Sequence, residues 1–378
     1  MLLLSILVAL LLGIDLTIGL NNAQPNLDIW DIDASCTPHR SALQKAYNDV
    51  AVMAAKALRD IQFVQQPRPS HLQDQIEWGR IARAFENMFG FKPGDGGTDL
   101  EDKYFKKVSG VYERMNKALY DNVKYPTSGF SGLHDKALWM CGDTSWRWYT
   151  KEMNNPYITP TRPLYISRSN IFEVAAGAWV HKQRFITNGD PRGVDICRPN
   201  VFASTQVKYD IITFCDFFFS DKVTSSESPV DGRNSVVEGK THLDHFGNYG
   251  PSRIMFQELV HWYGSEVTAL EVKRLIDEQA VSADGEQVWA FTNAVGKIQL
   301  TTTSKKQPGI RYTPLATYGY ARCSRLARSH LGSEFAQNCG PAMATGTAET
   351  YAYFAMMAYL DNFDWSGDGI AKRIDRNQ

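Results

Sequence analysis

The segment Phe256–Trp262 constrains the fold of this chain more than any other, because its polar residues have the spacing of one helical face. Its sequence is FQELVHW, and Pro251 lies shortly before it. Proline is favoured in the first turn of a helix, where its missing N–H costs no hydrogen bond. Residues four positions apart lie on the same face of a helix, so Gln257 and His261 would point in one direction, with Glu258 beside them. We therefore predict a helix that presents these three side chains to a single site.

The pattern Gln-Glu-x-x-His differs in one residue from H-E-x-x-H, a motif in which two histidines of a helix bind zinc and the glutamate acts as general base. Gln257 takes the place of the first histidine. Its carboxamide oxygen is a neutral donor that zinc accepts less readily than an imidazole nitrogen. The amide also has two N–H donors, which could hydrogen-bond to Glu349 and replace the metal with a polar network. The sequence leaves both alternatives open.

The segment Thr347–Phe354, TAETYAYF, is the second feature that bears on function. Together with the helix motif it resembles the ligand segments of the fungal secreted zinc metallopeptidases of the deuterolysin and peptidyl-Lys metallopeptidase type, the aspzincins. Their third zinc ligand is an aspartate, where this chain has Glu349. The resemblance implies a zincin-like fold with zinc as cofactor, held by Gln257, His261 and Glu349. It also implies that Glu258 is the catalytic base.

Two functions of different classes follow from this resemblance. If the metal site is retained, the protein is a zinc-dependent endopeptidase in which metal-bound water, activated by Glu258, attacks a peptide carbonyl. The alternative is a catalytically inactive pseudo-peptidase whose cleft binds a peptide or protein without cutting it. Glutamine at 257 and glutamate at 349 favour reduced or lost catalysis, because a catalytic zinc site has only three protein ligands. In both cases the partner is a peptide or a protein.

Several other residues have both a functional and an ordinary interpretation. Tyr353, with Tyr351, could place a phenol near a tetrahedral oxyanion as a catalytic group, or could pack its helix against the core. His242 and His245 could supply a replacement imidazole, or could be a loop pair beside the cleft. Glu258 itself could be an acidic residue that the helix dipole favours. The candidates for an acidic residue in a lysine-selective pocket are Asp244, Asp361 and Asp364.

The balanced charge of the chain argues against two classes of partner. There are 40 Lys and Arg residues against 41 Asp and Glu, and the sequence contains no basic block. Nothing therefore indicates binding to nucleic acid or to an anionic membrane surface.

The N-terminus predicts secretion. Met1–Leu12 is an almost unbroken apolar run, followed by small and polar residues. Such a run is too short to span a bilayer and is typical of a signal peptide, which we place at 1–23. An uncleaved N-terminal anchor is the alternative. After the leader we expect a helical region over 24–130 and a metallopeptidase-like region over 131–378, as one continuous domain and as a monomer without membrane attachment.

The cysteines support an extracellular location. Their even number and the absence of any C-x-x-C pair indicate disulfides formed in an oxidising compartment rather than a zinc site. A bond between Cys323 and Cys339 is the first that we predict, because both fall in one short segment. The six cysteines are Cys36, Cys141, Cys197, Cys215, Cys323 and Cys339.

Hydrophobic periodicity predicts an α+β fold. Apolar residues recur at three- and four-residue steps in three N-terminal stretches, which indicates helices over about 41–61, 73–89 and 100–121, the first capped by Ser41. A small mixed sheet and C-terminal helices around the motif helix complete the predicted zincin-like architecture. The β-like runs are Leu164–Ser167, Asn200–Ser204 and Tyr209–Cys215.

Overall fold

Ten α-helices and several small sheets make up the computed structural model, which describes residues 25–94, 99–121, 134, 136–158, 160–167, 176–187, 191–267, 272–329 and 335–374. The fold is mixed α+β, as predicted. The predicted signal peptide, 1–23, lies outside the described residues. The helices are α1 Arg40–Val64, α2 Leu72–Phe89, α3 Asp99–Asp121, α4 Leu164–Ser167, α5 Asp221–Thr224, α6 Asp244–Gly247, α7 Pro251–Gly264, α8 Tyr320–Arg328, α9 Pro341–Ala344 and α10 Ala348–Tyr359.

Helix α10 lies at the centre of the main core. Every residue from Ala348 to Ala358 is buried, which is the pattern of a helix that is covered on all sides. Helices α1, α2 and α7 pack against α10, and α1 also packs against α3 and α7. The N-terminal helices thus enclose the two segments that carry the predicted site. Their apolar faces form one continuous hydrophobic cluster with α7 and α10.

The largest sheet lies beside α7 and has the strand order β1–β2–β7–β6. Strands β1, β2 and β7 are parallel, whereas β6 runs antiparallel to β7, with Thr205 opposite Ile212. Among the described residues β6 is therefore an edge strand, and helix α7 packs against it. The strands of this sheet are β1 Asp31–Ile32, β2 Leu138–Cys141, β6 Ala203–Gln206 and β7 Ile211–Phe214.

The described residues form three further, smaller sheets. Strands β3, β4 and β5 form one antiparallel sheet, β8 and β9 form a ribbon, and β10 pairs with both β11 and β12. The strands are β3 Arg147–Thr150, β4 Gly177–His181, β5 Arg184–Ile186, β8 Glu266–Val267, β9 Val272–Lys273, β10 Val288–Thr292, β11 Ile298–Thr302 and β12 Thr313–Pro314.

Two disulfides connect distant parts of the chain, Cys36–Cys141 and Cys197–Cys215. The predicted bond between Cys323 and Cys339 is wrong, since both residues are buried free thiols. Cys323 lies inside α8 and belongs to the main core, whereas Cys339 belongs to a separate small cluster. Proximity in sequence was a poor guide because the two thiols pack into different clusters.

The three predicted N-terminal helices are confirmed as α1, α2 and α3, and the strand predicted at Tyr209–Cys215 is confirmed as β7. The predicted cap at Ser41 is wrong, because a 3₁₀ helix over Ala34–His39 leads directly into α1. The predicted strand Leu164–Ser167 is a single helical turn whose first N–H groups bond to the loop at Lys151 and Met153. No helix in the described part of the chain is long and apolar enough to cross a membrane.

Candidate functional site

Helix α7 carries the predicted motif at the contact between the helical core and strand β6. Pro251 occupies its first turn, and nearly all of its residues are buried because α1, α3 and α10 pack on one side and β6 on the other. His261 is the exception within the motif, with its side chain 12% exposed. The polar side chains of α7 therefore have to find partners inside the protein, or border a cavity.

Arg253 occupies the position between Gln257 and Glu349. Its Nη1 lies 3.0 Å from Gln257 Oε1 and 3.1 Å from Glu349 Oε2. Its Nε donates to the carbonyl oxygen of Gly247 at 2.7 Å, and its Nη2 to that of Asn248 at 3.3 Å. The Arg253 residue is 5% exposed and Glu349 is 0% exposed. The guanidinium thus donates hydrogen bonds to two of the three predicted metal ligands.

Arg253 and Glu349 form a buried ion pair in which each charge stabilises the other. Burial raises the pKa of Glu349, and the attraction of Arg253 opposes that rise. Burial alone would lower the pKa of Arg253, but the Glu349 carboxylate raises it overall. The other carboxylate oxygen of Glu349 accepts a hydrogen bond from the Gly319 N–H at 3.2 Å. A buried ion pair persists when further hydrogen bonds satisfy its remaining groups, which is the case here.

Asp277 joins the remaining motif residues into the same network. Its Oδ1 accepts a hydrogen bond from Gln257 Nε2 at 2.8 Å and lies 3.3 Å from His261 Nε2. Its Oδ2 accepts a hydrogen bond from the Tyr318 hydroxyl at 2.7 Å. Burial alone would raise the pKa of Asp277, but the neighbouring His261 lowers it overall. Asp277 is therefore the anion of the second charge pair in the network.

His261 is held as an imidazolium. Its Nδ1 lies 2.6 Å from the carbonyl oxygen of Leu275, and its Nε2 faces Asp277. Burial alone would lower the pKa of His261, but the Asp277 carboxylate raises it to about 9. Both ring nitrogens then carry a proton at neutral pH and donate to oxygen acceptors.

Glu258 borders a cavity of about 510 Å³, the inner cavity, together with His261, Asp277 and Tyr318. The Thr205 hydroxyl of β6 donates to Glu258 Oε2 at 2.7 Å. Burial raises the pKa of Glu258, and the positive charge of His261 opposes that rise. A carboxyl group with a raised pKa beside a cavity has the character of a proton donor or acceptor, and such groups cluster at functional sites.

As arranged, the predicted ligand set does not fit zinc. The oxygen atoms of Gln257 and Glu349 face the Arg253 guanidinium, and both ring nitrogens of His261 face oxygen acceptors, the Leu275 carbonyl and Asp277. Across the described ranges, no three His, Cys, Asp or Glu side chains come together as a metal-binding group. Gln257 does not bond to Glu349 directly, because Arg253 lies between them.

The structure places the Tyr353 hydroxyl against Asp244 and not in the lining of the inner cavity. This hydroxyl donates to Asp244 Oδ1 at 2.5 Å, and burial raises its pKa well above the usual phenol value. Tyr351 is also buried and donates to the Thr345 carbonyl at 2.9 Å. Neither phenol lines the inner cavity, so a role at an oxyanion stays a prediction.

The remaining candidates have other partners. His242 Nε2 lies 3.0 Å from the Asp368 carbonyl oxygen, and His245 Nε2 lies 3.3 Å from Glu227. Asp361 pairs with Lys56 at 3.1 Å, and Asp364 pairs with Arg83 at 2.7 Å. Asp244 accepts hydrogen bonds from Tyr353 and from the Tyr320 N–H. None of these side chains lines the inner cavity.

Sequence reasoning missed Arg253, Asp277 and Tyr318. Arg253 lies four residues before Gln257 and so shares its helical face, a signal that the spacing alone could have given. Asp277 and Tyr318 come from loops distant in sequence, and no pattern within the chain indicated them.

The chain was compared with protein-family models and with curated proteins, and nothing matches it.

Proposed function

We propose that the protein is a secreted, metallopeptidase-like protein of zincin-like fold that binds peptides through the inner cavity and in which a network around Arg253 replaces the zinc site. The observation that carries the proposal is the position of Arg253 Nη1, within 3.1 Å of both Gln257 Oε1 and Glu349 Oε2. Those are oxygens that the resemblance to the aspzincins assigns to the metal. A divalent cation would have to displace a buried, hydrogen-bonded ion pair to reach them.

A peptide ligand is supported by the strand that borders the inner cavity. Residues 203–207 line it, and they include all of β6, the edge strand. A sheet edge offers backbone N–H and C=O groups to an extended peptide, while adjoining pockets accept its side chains. Glu258, His261 and Tyr318 add polar groups to the lining. The proposed location outside the cell is supported by the apolar N-terminal run and the two disulfides.

The alternative function is zinc-dependent peptide-bond hydrolysis. The observation in its favour is that Glu258 and His261, the two unchanged motif residues, line the same cavity. It would require Arg253 to leave the oxygens of Gln257 and Glu349, and His261 to lose a proton.

The test measures metal content and peptide cleavage on the full chain secreted from a eukaryotic host. After equilibration with zinc and dialysis, we expect substoichiometric zinc and no cleavage of a mixed peptide substrate. A triple variant, Arg253→Leu with Gln257→His and Glu349→Asp, is the matched control, because it restores the ligand types of the family and removes the guanidinium. Stoichiometric zinc in the unmodified protein, with cleavage that Glu258→Gln abolishes, would overturn the proposal in favour of the peptidase.

Binding is tested separately with a mixture of short fluorescent peptides. Ser204 of β6 lines the inner cavity, so the larger side chain of Ser204→Trp should fill this cavity and abolish peptide binding. Thr292→Trp is the control, because Thr292 is an exposed strand residue that does not line the cavity. Binding that survives Ser204→Trp would show that the peptide lies elsewhere.

A further inference from the structure

A second cavity of about 630 Å³, the outer cavity, continues from the inner one along β6. The two share Thr205 and Gln206 of the strand, so together they form one groove beside its open edge. The outer part is lined by Lys208 and Tyr209, which follow directly after β6, and Arg274 lines both parts. A peptide extended along β6 from the inner cavity would therefore place a later side chain in the outer one, since each residue advances about 3.3 Å.

The charged groups of the outer cavity are mostly cationic. Arg198 forms an ion pair with Asp195 at 2.7 Å, so this pair contributes no net charge. Lys208 and Arg274 are both exposed and pair with no carboxylate of the described residues. The Lys208 ammonium lies 5.5 Å from the Tyr209 ring centre, which leaves its charge available to a ligand. Counted over the described lining residues, the wall thus carries an excess of two positive charges.

The inner cavity does not cancel this excess. Its carboxylate Asp277 is paired with His261 at 3.3 Å, so Glu258, the remaining acidic side chain among its described lining residues, stands as one charge against two. Gln206 adds a further polar group at the junction of the two cavities. Its Oε1 is buried and accepts no hydrogen bond from the described part of the chain.

We infer that the outer cavity binds an acidic side chain, and that the groove along β6 therefore selects peptides carrying Asp or Glu next to the segment held in the inner cavity. The inference rests on the proposed peptide-binding function and adds the chemical class of the ligand. The juxtaposition that carries it is that Lys208 and Arg274 line one cavity, which is continuous with an open strand edge. Opposite charges across a partly exposed site contribute selectivity and association rate more than total affinity.

The experiment measures fluorescence anisotropy of matched short peptides that carry Glu, Gln or Lys at one scanned position. At that position we expect the glutamate peptide to bind about tenfold more tightly than the glutamine peptide, with the lysine peptide weakest. The difference should shrink as the salt concentration rises, because exposed charges are screened. Lys208→Gln with Arg274→Gln should remove the preference, and Lys208→Glu with Arg274→Glu should reverse it. Lys297→Glu with Arg311→Glu is the control, an exposed pair that lines neither cavity.

The outcomes separate the two proposals. If peptides bind but Glu, Gln and Lys are equivalent, or if the variants at 208 and 274 leave the preference unchanged, the inference is overturned and the peptide-binding function stands. If no peptide of any charge binds the folded protein, both are overturned. Because Lys208 and Arg274 are exposed, their substitution leaves the core untouched, and an unchanged unfolding midpoint confirms that the variants are folded.

Discussion

Arg253 carries a permanent charge in a place where water cannot reach it. A guanidinium keeps its proton in proteins, so this charge has to be compensated by the protein itself. Glu349 supplies the opposite charge, and Gln257, Gly247 and Asn248 supply oxygen acceptors. In this arrangement neither Glu349 nor Gln257 is free to bind a second cation. Each residue of the pair is therefore expected to be costly to remove alone.

The first prediction concerns this pair. Arg253→Met leaves the Glu349 carboxyl buried without its cation and should lower the free energy of unfolding by about 3–5 kcal/mol at neutral pH. Arg253→Met with Glu349→Gln removes both charges and should recover part of that loss. Urea denaturation of the two single variants and the double variant gives the coupling free energy. Losses that simply add would show that the two side chains do not depend on each other.

The second prediction concerns His261 and pH. Its pKa is raised to about 9 in the folded protein, above an ordinary value near 6.5. The resulting stabilisation is fully present below about pH 6.5 and is lost as the pH rises through about 9, a change of roughly 3 kcal/mol. Urea denaturation between these pH values should show the decline, and His261→Gln should flatten it. A profile that is equally steep in His261→Gln would assign the effect to another group.

At the scale of elements, the sequence predicted the helices well and the site only in part. Helices α1 to α3 and α7 follow from apolar periodicity and proline placement, which are local properties. The motif correctly indicated that Glu258 and His261 would share a helix. It could not indicate Asp277, because that residue reaches α7 only through tertiary folding. For the same reason the sequence could not indicate the cysteine pairing, which depends on the hydrophobic clusters into which the cysteines pack.

Helix α7 also depends on the small size of its last residue. A Cβ atom built on Gly264 would lie 2.1 Å from Leu275 Cδ1, so the buried Leu275 side chain would have to move. The carbonyl oxygen of Leu275 is the atom that faces His261 Nδ1 at 2.6 Å. The end of the helix and the orientation of the imidazole are therefore linked through one close contact.

The third prediction follows from that contact. Gly264→Ala should lower the free energy of unfolding by about 1–3 kcal/mol, the usual cost of overpacking, and should lower the pKa of His261 by weakening its bonds. Gly79→Ala in α2 is the matched control, because the added Cβ meets only the flexible Arg83 side chain at 3.3 Å. That variant should be neutral or more stable by up to about 1 kcal/mol. Urea denaturation and NMR titration of the histidine ring measure both effects, and equal costs at the two glycines would contradict the argument.

At the scale of the whole molecule, the two disulfides fix segments of the chain that lie next to the strands of the largest sheet. Cys36–Cys141 closes a loop with a sequence separation of 105 and ties the 3₁₀ helix before α1 to the end of β2. Cys197–Cys215 has a separation of 18 and fixes the chain before β6 to the end of β7. The longer loop removes more conformational freedom from the unfolded chain. Both bonds lie at the ends of the sheet that borders the groove.

The last prediction compares these bonds with the free thiols. Cys36→Ser with Cys141→Ser should cost about 4–5 kcal/mol, and Cys197→Ser with Cys215→Ser about 3 kcal/mol, according to their loop lengths. Alkylation of the denatured, unreduced protein should label Cys323 and Cys339 alone, and mass spectrometry would identify them. In the native protein the same thiols should resist labelling, because burial raises the pKa of both and shields Cys323 in particular. If no cysteine of the unreduced protein is alkylated, Cys323 and Cys339 are oxidised. That result would contradict their placement in two separate hydrophobic clusters.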